Sequence, residues 1–376
     1  EHLGRRKRYF ISEGENAISM SQNAINNCAE KNNVDLEQIE MLLFCSDTPE
    51  YVSPSNALKL VGLYGEKLKN VKVAFDINSN CTGMIQGLDI VHLHTSSWRG
   101  FMIEEIAMEL GIQRVIVHSH SGGIDECGDK KRKDRIQVHE LFKKQFSMKY
   151  ATDVWACSEL AASWLYGEGV PRDKIQIMPN AIDTNRYRYN PAKRERLRKQ
   201  MGLENKIVVG NIGRYAFQKN HEFLIKVFAE AFNIDHRLYL LCLGEGELSG
   251  ELKQMIDALG ISDYVSLMDW RENVEDYLQT MDIFCLPSKF EGLPLSVIEA
   301  QAAGLNCLVA DTVTKEVKLT DLVTFLPLEK EEWVRALLDW NPWYRREMWN
   351  EEVACAGYEI RSAAEKLEEM YEGAEE

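Results

Sequence analysis

Two carboxylates eight residues apart, Glu291 and Glu299, frame the chemistry open to this chain. They lie in Pro287-Ser-Lys-Phe-Glu-Gly-Leu-Pro-Leu-Ser-Val-Ile-Glu299, with Gly292, Leu293 and Pro294 between them. The apolar run from Ile283 to Leu286 predicts a buried strand, and residues 294–303 predict a helix. Proline at a first helical position loses no hydrogen bond, because that amide has no intrahelical partner. The free amides that remain there suit an anion, and the helix dipole reinforces them. Of two acids around such a helix start, one can meet a sugar and the other the hydroxyls of a ribose. Matching cations stand upstream. Residues 206–213 predict a strand ending at Gly213, and Arg214 and Lys219 follow it. A guanidinium fork and an ammonium point charge together can neutralise a diphosphate. Residues 241–247 add a strand and a glycine-rich turn through Gly244, and residues 265–270 begin as another strand.

Positioning these groups requires a particular scaffold. From about residue 89 short apolar strands alternate with helical patterns, at 89–93, 114–118, 153–157, 174–178, 207–212, 237–243, 264–267, 282–286 and 306–310. Such alternation implies α/β architecture with parallel sheets and crossover helices. A chain of 376 residues has room for two domains. Hydrophobic content of 45% is that of an ordinary globular protein, and no apolar run is long enough to span a bilayer. No secretory signal is visible, and the chain opens at Glu1 without Met, as a fragment would. The nine cysteines are odd in number, scattered and free of C-x-x-C spacing, which implies reduced thiols in the cytoplasm.

The context of the two acids resembles the donor signature of family-4 retaining glycosyltransferases of the GT-B fold, of the kind that builds exopolysaccharide. The resemblance runs from about residue 89 to the end. It implies two Rossmann-like parallel-sheet domains with a cleft between them. Residues 89–183 are then the second half of the acceptor domain, 184–340 the nucleotide-sugar domain, and 341–376 helices that cross back. The stretch Trp333 to Trp349 is expected to cross as well. Asn180-Ala-Ile-Asp183 resembles the hinge between such domains. In residue roles, the resemblance implies that Arg214 and Lys219 bind the donor diphosphate and stabilise the leaving nucleotide. Glu291 positions the sugar and Glu299 the ribose. Gly213, Gly244, Ser288, Gly292 and Leu293 border the donor. Val117-His118-Ser-His120-Ser-Gly-Gly resembles the family's strand-end histidines, which makes His118 a fourth catalytic candidate. Cys157 reads as packing, and Ser158 as the cap of a helix.

Residues 1–88 resemble a different family, the opening of a ketoacyl-ACP synthase III. Phe44-Cys-Ser-Asp-Thr-Pro-Glu-Tyr51 and Ala74-Phe-Asp-Ile-Asn-Ser-Asn-Cys-Thr-Gly-Met84 carry that resemblance. Cys81 stands where that family keeps its acyl-accepting nucleophile. A thiolate there needs a His partner, which the family takes from a half absent here, so Cys81 reads as vestigial. The chain therefore reads as a chimera with a seam near residues 87–91, and the foreign opening segment predicts poor transfer.

The implied reaction moves a sugar from a nucleoside diphosphate donor, a UDP-sugar first, to a hydroxyl on a saccharide or lipid-linked acceptor, with retention. No metal or other cofactor is expected, since the cations and the helix dipole do the work of Mg²⁺. A glycosidase also pairs two acids, but it has no use for a diphosphate-binding Arg/Lys pair. Two other functions stay open: a nucleotide-sugar binder without turnover, and an acyltransferase fragment using Cys81. The net charge of −15 argues against a nucleic-acid partner. Basic residues nevertheless cluster at 130–135 with Lys143 and Lys144, and again at 186–199. Each cluster reads either as a solvated helix face or as a patch for anionic lipid head groups on the inner face of the membrane.

Overall fold

A computed structural model describes residues 41–45, 73–77, 89–340 and 346–372. In chain order the strands are β1 (Met41–Cys45), β2 (Val73–Ile77), β3 (Ile90–Thr95), β4 (Arg114–Ser119), β5 (Asp153–Ala156) and β6 (Ile175–Ile177). They continue as β7 (Ile207–Ile212), β8 (Leu238–Leu243), β9 (Val265–Met268), β10 (Ile283–Leu286), β11 (Asn306–Ala310) and β12 (Val323–Leu326). The helices are α1 (Met102–Glu109), α2 (Asp129–Gln145), α3 (Glu159–Leu165), α4 (Pro191–Gln200), α5 (His221–Phe232) and α6 (Ser249–Ala258). After them come α7 (Val274–Thr280), α8 (Leu295–Ala302), α9 (Lys330–Leu338), α10 (Asn350–Val353) and α11 (Ile360–Glu372). All nine expected strands are present within two residues of their predicted ends. The sequence reading missed β12, whose Val-Thr-Phe-Leu is too short to carry a period.

The chain divides into two compact units. One comprises Glu1–Leu93, Gly100–Val117 and Ser147–Asp153; the other comprises His94–Arg99, His118–Phe146 and Val154–Glu376. In the first unit β1 and β2 pair in parallel, Met41 opposite Val73 through Cys45 opposite Ile77. Val91, Ala107, Ile112 and Val115 form a small core there, with Leu93, Ile106 and Met108 packed on it. The strands β3-β4-β5-β6 make one four-stranded sheet in that order.

The second unit holds a six-stranded sheet in the order β12-β11-β10-β7-β8-β9, and every pair in it is parallel. This is the doubly wound order, and it reverses direction between β7 and β10. Crossover helices leave opposite faces at such a switch point, so a crevice opens beyond the carboxyl ends of the two strands. The runs Ile-Val-Val-Gly-Asn-Ile and Ile-Phe-Cys-Leu are apolar on both faces, because helices cover both sides.

Local signals fix the element ends. Asn190 caps α4 by accepting from the Lys193 amide at 2.9 Å, with Pro191 opening the helix. Ser158 caps α3 by accepting from the Ala161 amide at 3.1 Å, as its sequence position predicted. One expectation needs correction: Pro294 is the residue before α8, with extended backbone, and the helix opens at Leu295. Trp333 on α9 lies edge-on to Phe223 of α5, ring centroids 5.7 Å apart. The last helix reaches further: Tyr371 of α11 stacks on Trp155 of β5 at 6.1 Å, and Glu359 accepts from the Thr184 amide at 3.1 Å. No helix among the described residues is long and apolar enough to cross a membrane.

Candidate active site

Apart from His118 on β4, the residues that the sequence singled out for donor chemistry follow the carboxyl ends of β7, β8 and β10 or sit on α8. Gly213 and Arg214 leave β7. A single turn, Phe217–Lys219, then ends at Asn220, whose φ of 57° turns the chain sharply into α5. Asparagine tolerates this left-handed backbone better than most residues. Its side-chain amide donates to the Pro287 carbonyl at 3.1 Å, tying the turn to the segment after β10. That joint delivers Lys219 to Glu291.

Glu291 is buried, and its two oxygens are both engaged. Oε1 accepts from Lys219 Nζ at 2.6 Å and Oε2 from Gln218 Nε2 at 2.9 Å. The same Gln218 amide donates to the Phe290 carbonyl at 3.0 Å. Lys219 is itself only 15% exposed, so this ion pair is largely withdrawn from water. Arg214 differs: its side chain is 65% exposed, and Nη2 meets Asp125 Oδ2 at 2.7 Å. The other Asp125 oxygen accepts from the Gln218 backbone N–H at 3.0 Å.

Close backbone approach explains the glycines. A Cβ on Gly244 would overlap the Gly213 carbonyl, so the ends of β7 and β8 meet backbone to backbone. A Cβ on Gly292 would overlap the His120 carbonyl and sit 3.0 Å from Cys157 Sγ. Ser158 adds a second tie by donating to the Gly292 carbonyl at 2.7 Å. Cys157 is a packing residue, as expected: burial pushes its thiol up to about 12, far from a nucleophile's range. Leu293 is buried beside these contacts. Ser288 is fully buried, and its hydroxyl has no partner among the described residues. A buried polar atom of this kind calls for a ligand or water.

Glu299 sits on α8 and accepts from the Tyr187 hydroxyl at 2.7 Å. Burial raises its pKa, against the opposing pull of Tyr187 and Arg186. Nothing in the sequence pointed to Tyr187, which is 112 positions away.

Three histidines gather near the ends of β3 and β4. His118, the predicted catalytic histidine, is buried at the end of β4 with its ring 4.1 Å from that of His120 and edge-on to Trp155 at 5.9 Å. It is His120, two positions further along, whose backbone touches the glycine after Glu291. Residues two apart on a strand share a face, which is why the two rings lie together. His94 Nδ1 and His120 Nε2 lie 2.7 Å apart, so one must donate and the other accept. Burial lowers both, His120 to about 4 with help from His94, so both are neutral at pH 7. Cys81 lies outside the described residues.

The second basic cluster divides in two. Arg194 and Arg198 of α4 turn inward onto Asp282, Arg198 at 2.9 Å, while Lys193 pairs with Asp276 and Arg186 with Glu275. These four cations are engaged within the fold, while Arg188, Arg196 and Lys199 of the same stretch stay exposed.

A doubly wound sheet with two cations and two acids at its switch point defines a protein for nucleotide-linked substrates. The family description "Glycosyl transferases group 1" matches residues 193–324. "Glycosyltransferase Family 4" matches residues 38–186, so the match takes in residues 38–88, ahead of the point near residue 89 where the sequence resemblance to this family was expected to begin. EpsF of Bacillus subtilis, named as a glycosyltransferase, is 30% identical over 290 residues, which are 75% of this chain and 74% of EpsF. An Escherichia coli enzyme, UDP-Gal:alpha-D-GlcNAc-diphosphoundecaprenol alpha-1,3-galactosyltransferase, is 30% identical over 59% of this chain and 58% of its own. Among solved structures, Anabaena HepE in complex with UDP and glucose superposes with a TM-score of 0.64 at 16% identity, over 89% of this chain and 100% of that one. The chain belongs to the family-4 glycosyltransferases, and its fold is GT-B-like.

Proposed function

We propose that this glycosyltransferase moves a sugar from a UDP-sugar to a hydroxyl of a lipid-linked saccharide, with retention, in the synthesis of an exopolysaccharide or capsule. The observation that carries the donor reading is the largely buried Lys219–Glu291 pair at the β7/β10 switch point, with the exposed Arg214 leaving β7 beside it. Arg214 and Lys219 take the diphosphate. Gly213 and Gly244 let it approach the backbone, and the Ser288 hydroxyl, buried without a partner among the described residues, supplies a donor. Glu291 and Leu293 border the sugar, Gly292 keeps their loop close to His120, and Glu299, fixed by Tyr187, meets the ribose. The bond from the anomeric carbon to the diphosphate oxygen breaks as the acceptor oxygen bonds on the same face. The acceptor proton leaves to the departing diphosphate. Preorganised positive charge at the leaving group is the largest contribution such a site makes to rate.

The choice of UDP, and of an acceptor on a lipid diphosphate, is supported by the name of the Escherichia coli relative. The exopolysaccharide role rests on the likeness to EpsF. Helix α2 supports a peripheral membrane contact: Lys130, Lys131, Lys133 and Lys144 are exposed, and so are the apolar Val138 and Leu141. Basic and apolar side chains together on an outward helix suit anionic head groups. Calorimetry of the full chain with UDP, GDP and their sugar conjugates tests the donor reading. UDP is expected to bind at micromolar to millimolar concentration, and binding of none of them at millimolar concentration overturns it.

A further inference from the structure

We infer that Asp125 is a built-in competitor for the donor diphosphate: it occupies Arg214 in the free site and must release it when the donor binds. The inference rests on the reading of Arg214 as a diphosphate ligand. Asp125 lies in the segment that follows β4, 89 positions from Arg214, and its carboxylate is only 14% exposed. One oxygen holds Nη2 of Arg214 at 2.7 Å and the other accepts the Gln218 amide at 3.0 Å. A guanidinium and a backbone amide converging on two oxygens of one anion is also how a phosphate is held. The free site thus closes on an anion of its own.

The second cation of the site is treated alike. Lys219 is held by Glu291, so both cations are neutralised before any donor arrives. The two acids are not equivalent. Glu291 is buried and Lys219 only 15% exposed, so separating them would strand a charge largely away from water. Arg214 is 65% exposed, so its bond to Asp125 competes with water and is weak enough to exchange. A diphosphate carries more charge than a carboxylate and can take the fork that Asp125 gives up. With the donor in place, the Asp125 charge then opposes it, which favours release of the nucleoside diphosphate after transfer. Holding an Arg this way also keeps the empty crevice from binding stray anions.

Asp125→Asn tests this. The amide keeps an oxygen for the Gln218 amide, so the turn that carries Lys219 keeps its anchor, but the competing charge is gone. The variant is expected to bind UDP and inorganic pyrophosphate about fivefold more tightly, the scale of a half-exposed ion pair, with uridine binding unchanged. Under multiple turnover its rate of transfer falls, because product lingers. Asp125→Glu, which restores the charge, is expected to return UDP affinity towards that of the native chain. Thermal melts of both variants check folding. Unchanged or weaker UDP binding by a folded Asp125→Asn overturns the inference alone, as does equal tightening for uridine. Binding of neither UDP nor pyrophosphate by the native chain overturns the donor reading and the inference with it.

Discussion

Helices α2 and α4 each carry a dense basic stretch, and the fold uses them in opposite ways. On α4, Arg198 donates to Asp282 at 2.9 Å and to the carbonyls of Thr280 and Leu203 at 2.7 Å. Arg194 reaches the carbonyls of Gln279 and Met281, at 2.8 and 2.7 Å, and the same Asp282. Asp282 also accepts the Val208 amide at 2.7 Å, so one carboxylate joins α4 to the starts of β7 and β10. On α2, Lys130, Lys131, Lys133 and Lys144 stay in water, while Lys143 donates to the Ser163 carbonyl at 2.8 Å and Arg132 and Arg135 turn back, one over the Phe217 ring at 3.5 Å and one onto Glu126 at 2.7 Å. Equal charge on paper is therefore an internal brace in one helix and an outward surface in the other. The site repeats the contrast at smaller scale, with Lys219 sunk onto Glu291 and Arg214 exposed beside Asp125.

The sharpest way to break this comparison is Asp282→Ala. It strands two inward guanidinium groups, and the expected loss of stability is about 3–5 kcal/mol by urea denaturation. A loss below about 1 kcal/mol would mean that water replaces the carboxylate at no cost and that α4 resembles α2 after all. Next in size are Arg214→Ala and Lys219→Ala. Each is expected to weaken UDP binding by about 1.5–3 kcal/mol, the range for hydrogen bonds to charged groups, while uridine binding changes little. Lys219→Ala alone should also lower the melting temperature, because it leaves Glu291 buried without its cation; equal melts for the two variants would erase the contrast between them.

Reversing charge on α2 should do the converse of Asp282→Ala. Lys130→Glu, Lys131→Glu and Lys133→Glu together are expected to leave stability within about 0.5 kcal/mol. They should weaken sedimentation with anionic vesicles by about 1 kcal/mol per lysine. Retained vesicle binding would remove α2 as the docking face. A last effect is expected from pH. The pKa of His120 in the fold is depressed to about 4, and that of His94 is lowered too, so folding favours their neutral forms. Their contribution is complete above pH about 6.5 and is lost as pH falls towards 4, at about 3 kcal/mol for His120 alone. His120→Gln should flatten that part of the stability profile; an unchanged slope would assign the acid sensitivity elsewhere.

The donor half was legible because its signals are local. Strands β7, β8, β10 and β11 announce themselves as short apolar runs closed by glycine, proline or polar residues. The Arg214/Lys219 and Glu291/Glu299 spacings lie within single loops or one loop and its helix. Less was legible where an answer depends on a neighbour distant in sequence. Gln218 sits between Arg214 and Lys219 and could have been suspected from that place alone. Asp125 and Tyr187 carried no signal, being 89 and 112 positions from the groups they hold. His118 was preferred over His120 because both read alike in a strand-end string.

By itself the sequence determined the order of strands and helices, the chemistry of the donor loops and the family, since periodicity, turn residues and motif spacing act over a few positions. Only the tertiary structure decided which acid meets which cation, which basic helix faces inward, and that β7 lies beside β10 so that their loops share one crevice. Those outcomes follow from sheet order and burial. An ion pair forms inside a protein only when the fold brings both partners out of water together, and no local pattern of residues specifies that meeting.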